Sequence, residues 1–318
     1  MTKRLTVVIS RDRTDHSAQQ SIQRGLLAGL VGRPELHVAV LPHLYDLVSD
    51  GPGMRYLQAT EGDMVVMGWL YPRAIFWILD ANRVQGHMGQ TSFFPEEELP
   101  SAPEGRKPRA AALPERTIWC IDLRGHQEAG PLLAEIERIR AEVTGVPAGE
   151  TVAIPAREGA ASDGHTQVEE ITRPRWYPVV DYGRCGNCLE CLNFCLFGVF
   201  GLDDSGVLLV EEPDACRDGC PACARVCPSG AIMFPQHSSP AIAGHARASA
   251  EAFQVDLVQL LGSGTGISAA ELAAAERLRA LLEKANAEQS QGGQPTADKP
   301  PAQDDLDALV DELDQTDL

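Results

Sequence analysis

Eight cysteines, grouped in two short runs in the second half of the chain, constrain this sequence more than any other feature. In the first run three cysteines are separated by two residues each, and a fourth follows after three more residues. The second run has the same order with a wider first interval. The runs comprise Cys185, Cys188, Cys191 and Cys195, and then Cys216, Cys220, Cys223 and Cys227. In a reducing compartment, which disfavours disulfides, thiols clustered in this way indicate metal ligands.

The spacing within each run favours cubane iron–sulfur clusters. A cubane needs four thiolates around its corners, and three cysteines at this interval on a tight loop can reach three irons of one cube. The fourth cysteine of each run points away and serves the other cube. The sequence therefore predicts two [4Fe–4S] clusters, the first bound by Cys185, Cys188, Cys191 and Cys227 and the second by Cys195, Cys216, Cys220 and Cys223.

Two tetrahedral zinc ions are the alternative for eight thiolates. Zinc sites typically use pairs of cysteines, with a longer span between one pair and the next. Three successive cysteines at the same short interval suit a cube better than this arrangement. We therefore expect iron–sulfur clusters in this region.

Residues 179–235 resemble the bacterial two-cluster ferredoxin family. The likeness includes the two cysteine runs, a hairpin-like stretch at 200–210 with Asp-Ser-Gly at its turn, and residues 229–232 after the last cysteine. The resemblance implies a small α+β module that moves single electrons between partners. Two positions depart from the family pattern: Leu196 stands where proline is usual, and the interval between Cys216 and Cys220 is one residue longer.

The N-terminal region, residues 1–145, alternates apolar runs with amphipathic stretches. The runs predict strands near residues 5–9, 36–41, 63–69 and 116–123, and helical spacing predicts helices near 17–31, 54–59, 74–79 and 132–143. Buried strands that alternate with helices indicate an α/β domain, with a mostly parallel sheet and helices on both faces. Cys120 lies inside one predicted strand, where a free cysteine usually acts as a small apolar side chain.

Polar residues follow the predicted strands, at the edge where an open α/β sheet binds its ligands. They include Ser10, Arg11, Asp12, His43, Tyr45, Tyr71, Arg73, Asp122, Arg124 and His126. One interpretation is a polar pocket for a small molecule, and the other is a set of ordinary loop residues. Neither a Walker A sequence nor a G-x-G-x-x-G motif follows the first strand, so an ATPase or a Rossmann dinucleotide site is not supported.

Composition divides the rest of the chain into connecting and terminal segments. Residues 146–178 lack a clear period and are interpreted as a linker, and residues 236–285 as a helical extension. Residues 286–318 are poor in apolar side chains and predict a disordered acidic tail. Four apolar residues in this tail recur at helical spacing, namely Leu306, Leu309, Val310 and Leu313. They indicate either a solvated tail or a short helix that folds against a partner.

The charge balance indicates which partners to expect. The chain has 27 Lys and Arg residues against 45 Asp and Glu residues, a net charge of −18. Such a surface repels nucleic acid and suits docking to a basic face of a redox partner protein. No apolar run approaches the roughly 20 residues that cross a bilayer, and residues 1–10 lack a secretory pattern. We therefore expect a cytoplasmic protein without a membrane span.

These features predict an iron–sulfur electron carrier, or an electron-transfer subunit of a cytoplasmic redox system. One alternative is an oxidoreductase whose N-terminal domain binds a small molecule that is reduced or oxidised through the clusters. Another is a structural or sensing iron–sulfur protein. The chain fits an electron-transfer protein better than a stand-alone enzyme.

Overall fold

Six short strands form one sheet in the computed structural model, which describes residues 4–14, 16–93, 114–147 and 164–245. The strands are β1 (Leu5–Ser10), β2 (Leu36–Leu41), β3 (Met64–Gly68), β4 (His87–Gly89), β5 (Thr117–Asp122) and β6 (Thr166–Gln167). Their order is β4-β5-β3-β1-β2-β6, and all neighbouring pairs are parallel. The predicted parallel sheet is confirmed.

Four helices alternate with the first strands, as the apolar spacing predicts. They are α1 (Ser17–Leu30), α2 (Pro52–Ala59), α3 (Pro72–Ala81) and α4 (Gly130–Thr144). Proline begins both α2 and α3, at a position whose N–H has no partner within a helix. Helix α4 is followed by Gly145, whose φ of 69° lies in the left-handed region that favours glycine.

Alternate residues of the central strands face opposite sides of the sheet, and helices cover both sides. On one side, Val8 and Val66 share a core with α2 and α3. On the other side, Val7 and Val65 share a core with α1 and α4. Every residue of β1 and β3 is buried, as expected for strands that are covered on both faces.

The two edge strands have too few residues to be recognised in the sequence. Strand β4 has three residues and β6 has two. Strand β6 comes from the segment 146–178, which the sequence assigns to a linker, and it pairs with β2. In the same segment, the Glu170 carboxylate accepts hydrogen bonds from N–H of Gly53 at 2.8 Å and of Val48 at 3.2 Å. The described part of this segment therefore packs on the α/β sheet.

Residues 179–235, here called the cysteine module, consist of short elements joined by loops. They are β7 (Val179–Val180), α5 (Glu190–Phe194), β8 (Phe200–Leu202), β9 (Leu208–Val210), α6 (Ala222–Val226) and β10 (Ile232–Met233), and α7 (Pro240–Ala243) follows. Strand β7 pairs antiparallel with β10, and β8 with β9. Asp203 Oδ1 closes the predicted hairpin turn by accepting hydrogen bonds from N–H of Ser205 and Val207, at 2.9 and 2.8 Å.

The carboxyl-terminal edge of the sheet packs against the cysteine module and the segment that leads into it. We call this contact the seam; its members include Tyr45, Arg73 and Trp77 on the sheet side and Tyr177, Asp181 and Tyr182 on the other. The rings of Tyr45 and Tyr177 stack with centroids 4.3 Å apart, and those of Trp77 and Tyr182 meet edge to face at 5.8 Å. The edge where an open α/β sheet usually binds ligands is therefore occupied in part by protein.

Several sequence predictions concern residues outside the described ranges. These are the helical extension beyond residue 245, the tail at 286–318, and within it the apolar set Leu306, Leu309, Val310 and Leu313. Among the described helices, none combines the length and the apolar character that a bilayer crossing requires.

Tyr45→Phe tests whether the seam stabilises the fold. The Tyr45 hydroxyl donates to the carbonyl oxygen of Tyr177 and accepts from its N–H at 2.7 Å. Its removal leaves two buried backbone groups without partners, at a cost of about 1–3 kcal/mol each. We expect the apparent melting temperature to fall by roughly 2–4 °C per kcal/mol, as measured by circular dichroism. A variant with the same apparent melting temperature as the wild type would contradict this role.

Candidate metal centre

The loop that carries the first three cysteines is held in a tight turn by the hairpin. Asn187 and Leu189, on either side of Cys188, have φ of 56° and 63°, in the left-handed region. The Asn187 amide donates to the carbonyl of Gly206 at 2.8 Å and accepts from the N–H of Leu208 at 2.9 Å. These bonds compensate the strained backbone, and Cys188 is left exposed at the tip of the loop.

All four cysteines predicted for the first cluster lie close enough for electrostatic interactions among them. Burial is the main cause that raises the pKa of Cys191 to about 12, and the thiolate charges of Cys227 and Cys185 contribute to this shift. Burial also raises the pKa of Cys185, again with contributions from Cys227 and Cys188. Cys227 Sγ accepts a hydrogen bond from the N–H of Ala231 at 3.3 Å. The structure therefore brings both runs together at this position.

All four cysteines predicted for the second cluster line one apolar cavity. The cavity is bounded by Cys195, Cys216, Cys220 and Cys223 together with Pro178, Phe194, Leu196, Phe197, Val199, Phe200 and Ala222. Burial is the main cause that raises the pKa of Cys223, and the charges of the other three cysteines add to it. Trp176 donates its indole N–H to the carbonyl of Cys220 at 3.2 Å and so holds one ligand loop.

The chemistry of these thiols fits an iron–sulfur group. A buried thiol stays protonated at neutral pH unless a positive charge is near, and iron supplies that charge when the thiolate binds. In the described part of the chain, no three His, Cys, Asp or Glu side chains are grouped as ligands of one metal ion. A cubane differs from a single ion, because its four thiolates bind four separate irons.

Sequence comparison identifies one related protein over part of the chain. A segment of 66 residues is 41% identical to a protein from Methanocaldococcus jannaschii that is described as an uncharacterized ferredoxin. The chain contains a ferredoxin-type region. The match covers 20% of this chain and 44% of that protein, so the chain spans less than half of its relative's length. No protein-family model matches the sequence, and no solved structure gives a significant match.

Beside the first predicted quartet lies a buried ion pair, between Arg73 and Asp181, that was not predicted from the sequence. Asp181 is 1% exposed and accepts a hydrogen bond from Arg73 Nε at 2.6 Å. The Arg184 guanidinium lies 3.7 Å from the same carboxylate. Burial lowers the pKa of Arg184 to about 10, and the facing charge of Arg73 contributes to this shift. Arg184 therefore still carries its charge at neutral pH.

The polar residues at the sheet edge, for which a small-molecule pocket and ordinary loop residues were the two interpretations, make structural contacts. Ser10 Oγ accepts from the N–H of Leu44 at 2.8 Å, and Arg73 contacts the cysteine module. Arg124 pairs with Asp122 at 2.7 Å. The other residues also contact neighbouring side chains. The guanidinium of Arg124 lies over the ring of Tyr71, and the rings of His126 and Phe93 meet edge to face. Asp12 accepts a hydrogen bond from Thr14, Arg11 donates to Glu169, and His43 lies within hydrogen-bond distance of Gln236. These contacts favour the interpretation that these are structural residues.

A larger cavity lies at the opposite, amino-terminal edge of the sheet. Its volume is about 690 Å³, and its lining includes Arg4, His37, Tyr56, Asp63 and Glu115. No site was predicted there from the sequence, because the lining residues precede the strands or, like His37, lie in the first residues of one, rather than following them.

Cys120 is the ninth cysteine and lies apart from the other eight. It is 1% exposed in the core beneath α2 and α3, and burial raises its pKa above the ordinary value. This placement agrees with the predicted role as a small apolar side chain.

His43→Gln tests whether this sheet-edge histidine is structural. Burial lowers the pKa of His43 to about 4; the charges of Asp46 and Asp12 oppose this shift, and that of Arg13 adds to it. As the pH falls from 6.5 to about 4, the unfolded chain binds a proton that the folded chain does not, so the wild type loses up to about 3 kcal/mol of stability. We expect a shallower loss for the variant, measured by thermal unfolding between pH 7 and 4.5.

The same substitution at the exposed His16 is the control, and we expect it to leave the pH profile of the melting temperature unchanged. Superimposable profiles of the wild type and the His43 variant would contradict a buried, neutral histidine.

Proposed function

We propose that the chain is an electron carrier, or an electron-transfer subunit, that binds two [4Fe–4S] clusters. The observation that carries this proposal is the apolar cavity lined by all four cysteines of one predicted quartet, Cys195, Cys216, Cys220 and Cys223. The electrostatic proximity of Cys185, Cys188, Cys191 and Cys227 supports the other quartet. The similarity of a 66-residue segment to a ferredoxin supports the same chemistry.

In this proposal the eight thiolates hold the clusters, and the surrounding residues control access to them. Each cluster would accept and release one electron at a time. Phe194, Phe197 and Phe200 are among the side chains that shield the second quartet from water. Cys188 is the exposed member of the first quartet, and it marks the side on which an electron can be exchanged with a partner. The two quartets therefore differ in solvent exposure, which is one of the properties that set a cluster's potential.

Iron and sulfide analysis tests the proposal directly. After anaerobic purification we expect about eight irons and eight sulfides per chain, and EPR signals that appear on reduction and disappear on reoxidation. Cys223→Ser removes a buried thiolate from the cavity, and we expect it to lose about four irons. Cys120→Ser is the matched control, because it changes a buried cysteine outside both quartets and is expected to retain all eight.

Other iron contents would contradict particular parts of the proposal. Zinc in place of iron, or about four irons in the wild type, would exclude two cubane clusters. Clusters that cannot be reduced reversibly would exclude electron transfer. Loss of iron in the Cys120 variant would show that iron content reports folding rather than ligation.

We further propose that the partner is a redox protein with a basic docking face. The sequence 179–235 has eight acidic and three basic residues, which agrees with the strongly negative charge of the whole chain. The segment with Leu306 and Leu313 is a second candidate contact. Opposite charge raises the rate of encounter, and salt screens it.

Electron transfer to a basic haem protein measures this electrostatic contribution. We expect the second-order rate constant to fall steeply between 10 mM and 200 mM salt, because the Debye length shortens from about 30 Å to below 10 Å. The same acceptor with acetylated lysines is the control, and its rate is expected to be lower and nearly independent of salt. Equal salt dependence for both acceptors would contradict docking through the acidic surface.

A further inference from the structure

Arg73 is a buried cation that belongs to the α/β part of the chain but makes its polar contacts in the cysteine module. It lies in the first turn of α3, and 4% of its side chain is exposed. Its Nε donates to Asp181 at 2.6 Å, and its Nη2 donates to the carbonyl of Gly230 at 2.7 Å. Both contacts reach residues close to predicted ligands, since Cys185 follows Asp181 and Cys227 precedes Gly230. The guanidinium therefore lies between the two ligand loops of one quartet.

A single peptide group connects Arg73 to the sulfur of Cys227. The carbonyl of Gly230 and the N–H of Ala231 belong to the same peptide unit. Arg73 Nη2 binds the carbonyl side of this unit, and the N–H side donates to Cys227 Sγ at 3.3 Å. Because the guanidinium holds the carbonyl oxygen, it fixes the direction of the N–H toward the thiolate.

Asp181 makes the corresponding connection on the other loop. Its carboxylate accepts from the N–H of Arg184 at 3.0 Å, and its backbone carbonyl accepts from the N–H of Cys185 at 2.9 Å. Its own N–H donates to the carbonyl of Ala231 at 2.8 Å. One ion pair, Arg73 with Asp181, thus holds the backbone near both Cys185 and Cys227.

One donor of the buried Arg73 guanidinium is unused. The guanidinium shares the Asp181 carboxylate with that of Arg184, which is partly buried. In the described part of the chain, Arg73 Nη1 is buried and has no hydrogen-bond acceptor. A buried cation with an unused donor is costly unless negative charge lies nearby. A cluster with four thiolates carries such negative charge, so the unused donor of Arg73 is consistent with a bound cluster.

We propose that Arg73 is a positioning residue for the cluster held by Cys185, Cys188, Cys191 and Cys227, and that it raises the reduction potential of this cluster. The inference rests on the proposed function, because it requires a cluster at this quartet. One-electron reduction by an external donor adds one negative charge to the cluster and its thiolates. A buried cation and a hydrogen bond to sulfur both favour that added charge. The α/β part of the chain thereby sets a redox property of the cysteine module.

An EPR-monitored redox titration of the purified holoprotein compares variants that change or retain this charge. For Arg73→Gln we expect the equilibrium constant for reduction of one cluster to fall about tenfold, which corresponds to about 59 mV for one electron. Coulomb's law gives this magnitude for a unit charge roughly 10 Å away at an effective dielectric constant of about 20. For Arg73→Lys, which keeps the charge, we expect a change of less than about threefold. The potential of the other cluster is expected to move less.

Asp181→Asn provides a test of opposite sign. It removes the negative member of the pair while keeping its shape, so we expect the equilibrium constant for reduction to rise. If Arg73→Gln fails to hold its clusters, the rise expected for Asp181→Asn still tests whether this ion pair affects the reduction potential. Shifts in opposite directions identify an electrostatic effect, since damage to the fold has no reason to change the potential in opposite directions.

Arg140→Gln is the matched structural control. Arg140 is also a buried arginine, 1% exposed, but it lies on α4 at the opposite face of the sheet and pairs with Glu137 at 2.7 Å. We expect this variant to be less stable and to keep both potentials. Unchanged potentials in fully loaded Arg73→Gln, or shifts of the same sign for Arg73→Gln and Asp181→Asn, would overturn the inference. A wild type without iron and sulfide would instead overturn the proposed function.

Discussion

Buried polar groups at the seam must find their partners across it, and this constraint determines how the α/β part and the cysteine module fit together. Tyr45, Arg73 and Asp181 are buried, and each is hydrogen-bonded to a residue on the other side of the seam. A buried donor, acceptor or charge that loses its partner is costly, more so for a charge than for a neutral group. Directional contacts of this kind allow little sliding between the two parts. The positions of both ligand loops therefore depend on the sheet.

The seam also gives the α/β part a place in the proposed redox chemistry. Arg73 of the α/β part binds Asp181, which lies beside the first quartet. Trp176, in the segment that leads into the module, donates a hydrogen bond to Cys220 of the second quartet. The sheet edge that open α/β folds often use for a ligand is here used, in part, to support the cysteine module. This arrangement fits an electron-transfer protein in which the larger part is a scaffold for the smaller one.

Local patterns in the sequence predicted the elements whose signals are long or chemically specific. Strands such as β1 and β3 are continuous apolar runs, because both faces of a parallel sheet are buried. The hairpin of β8 and β9 was predicted from the ferredoxin resemblance and the Asp-Ser-Gly turn at 204–206. The structure adds that the side chain of Asp203 closes this turn. By contrast, β4 and β6 have three and two residues, too few for any period, and they are strands only because a neighbouring strand offers its hydrogen bonds.

The sequence by itself determined the spacing of the cysteines and thus the chemistry that the module can support, because ligand spacing within a loop is a local property of the chain. It also determined the α/β class through the alternation of strands and helices. Only the tertiary structure decided that the polar sheet edge meets the cysteine module. Arg73 and Asp181 are 108 residues apart, and the residues around each of them give no indication of this pairing. Their pairing results from the packing of α3 against β7, which no pattern within one segment can encode.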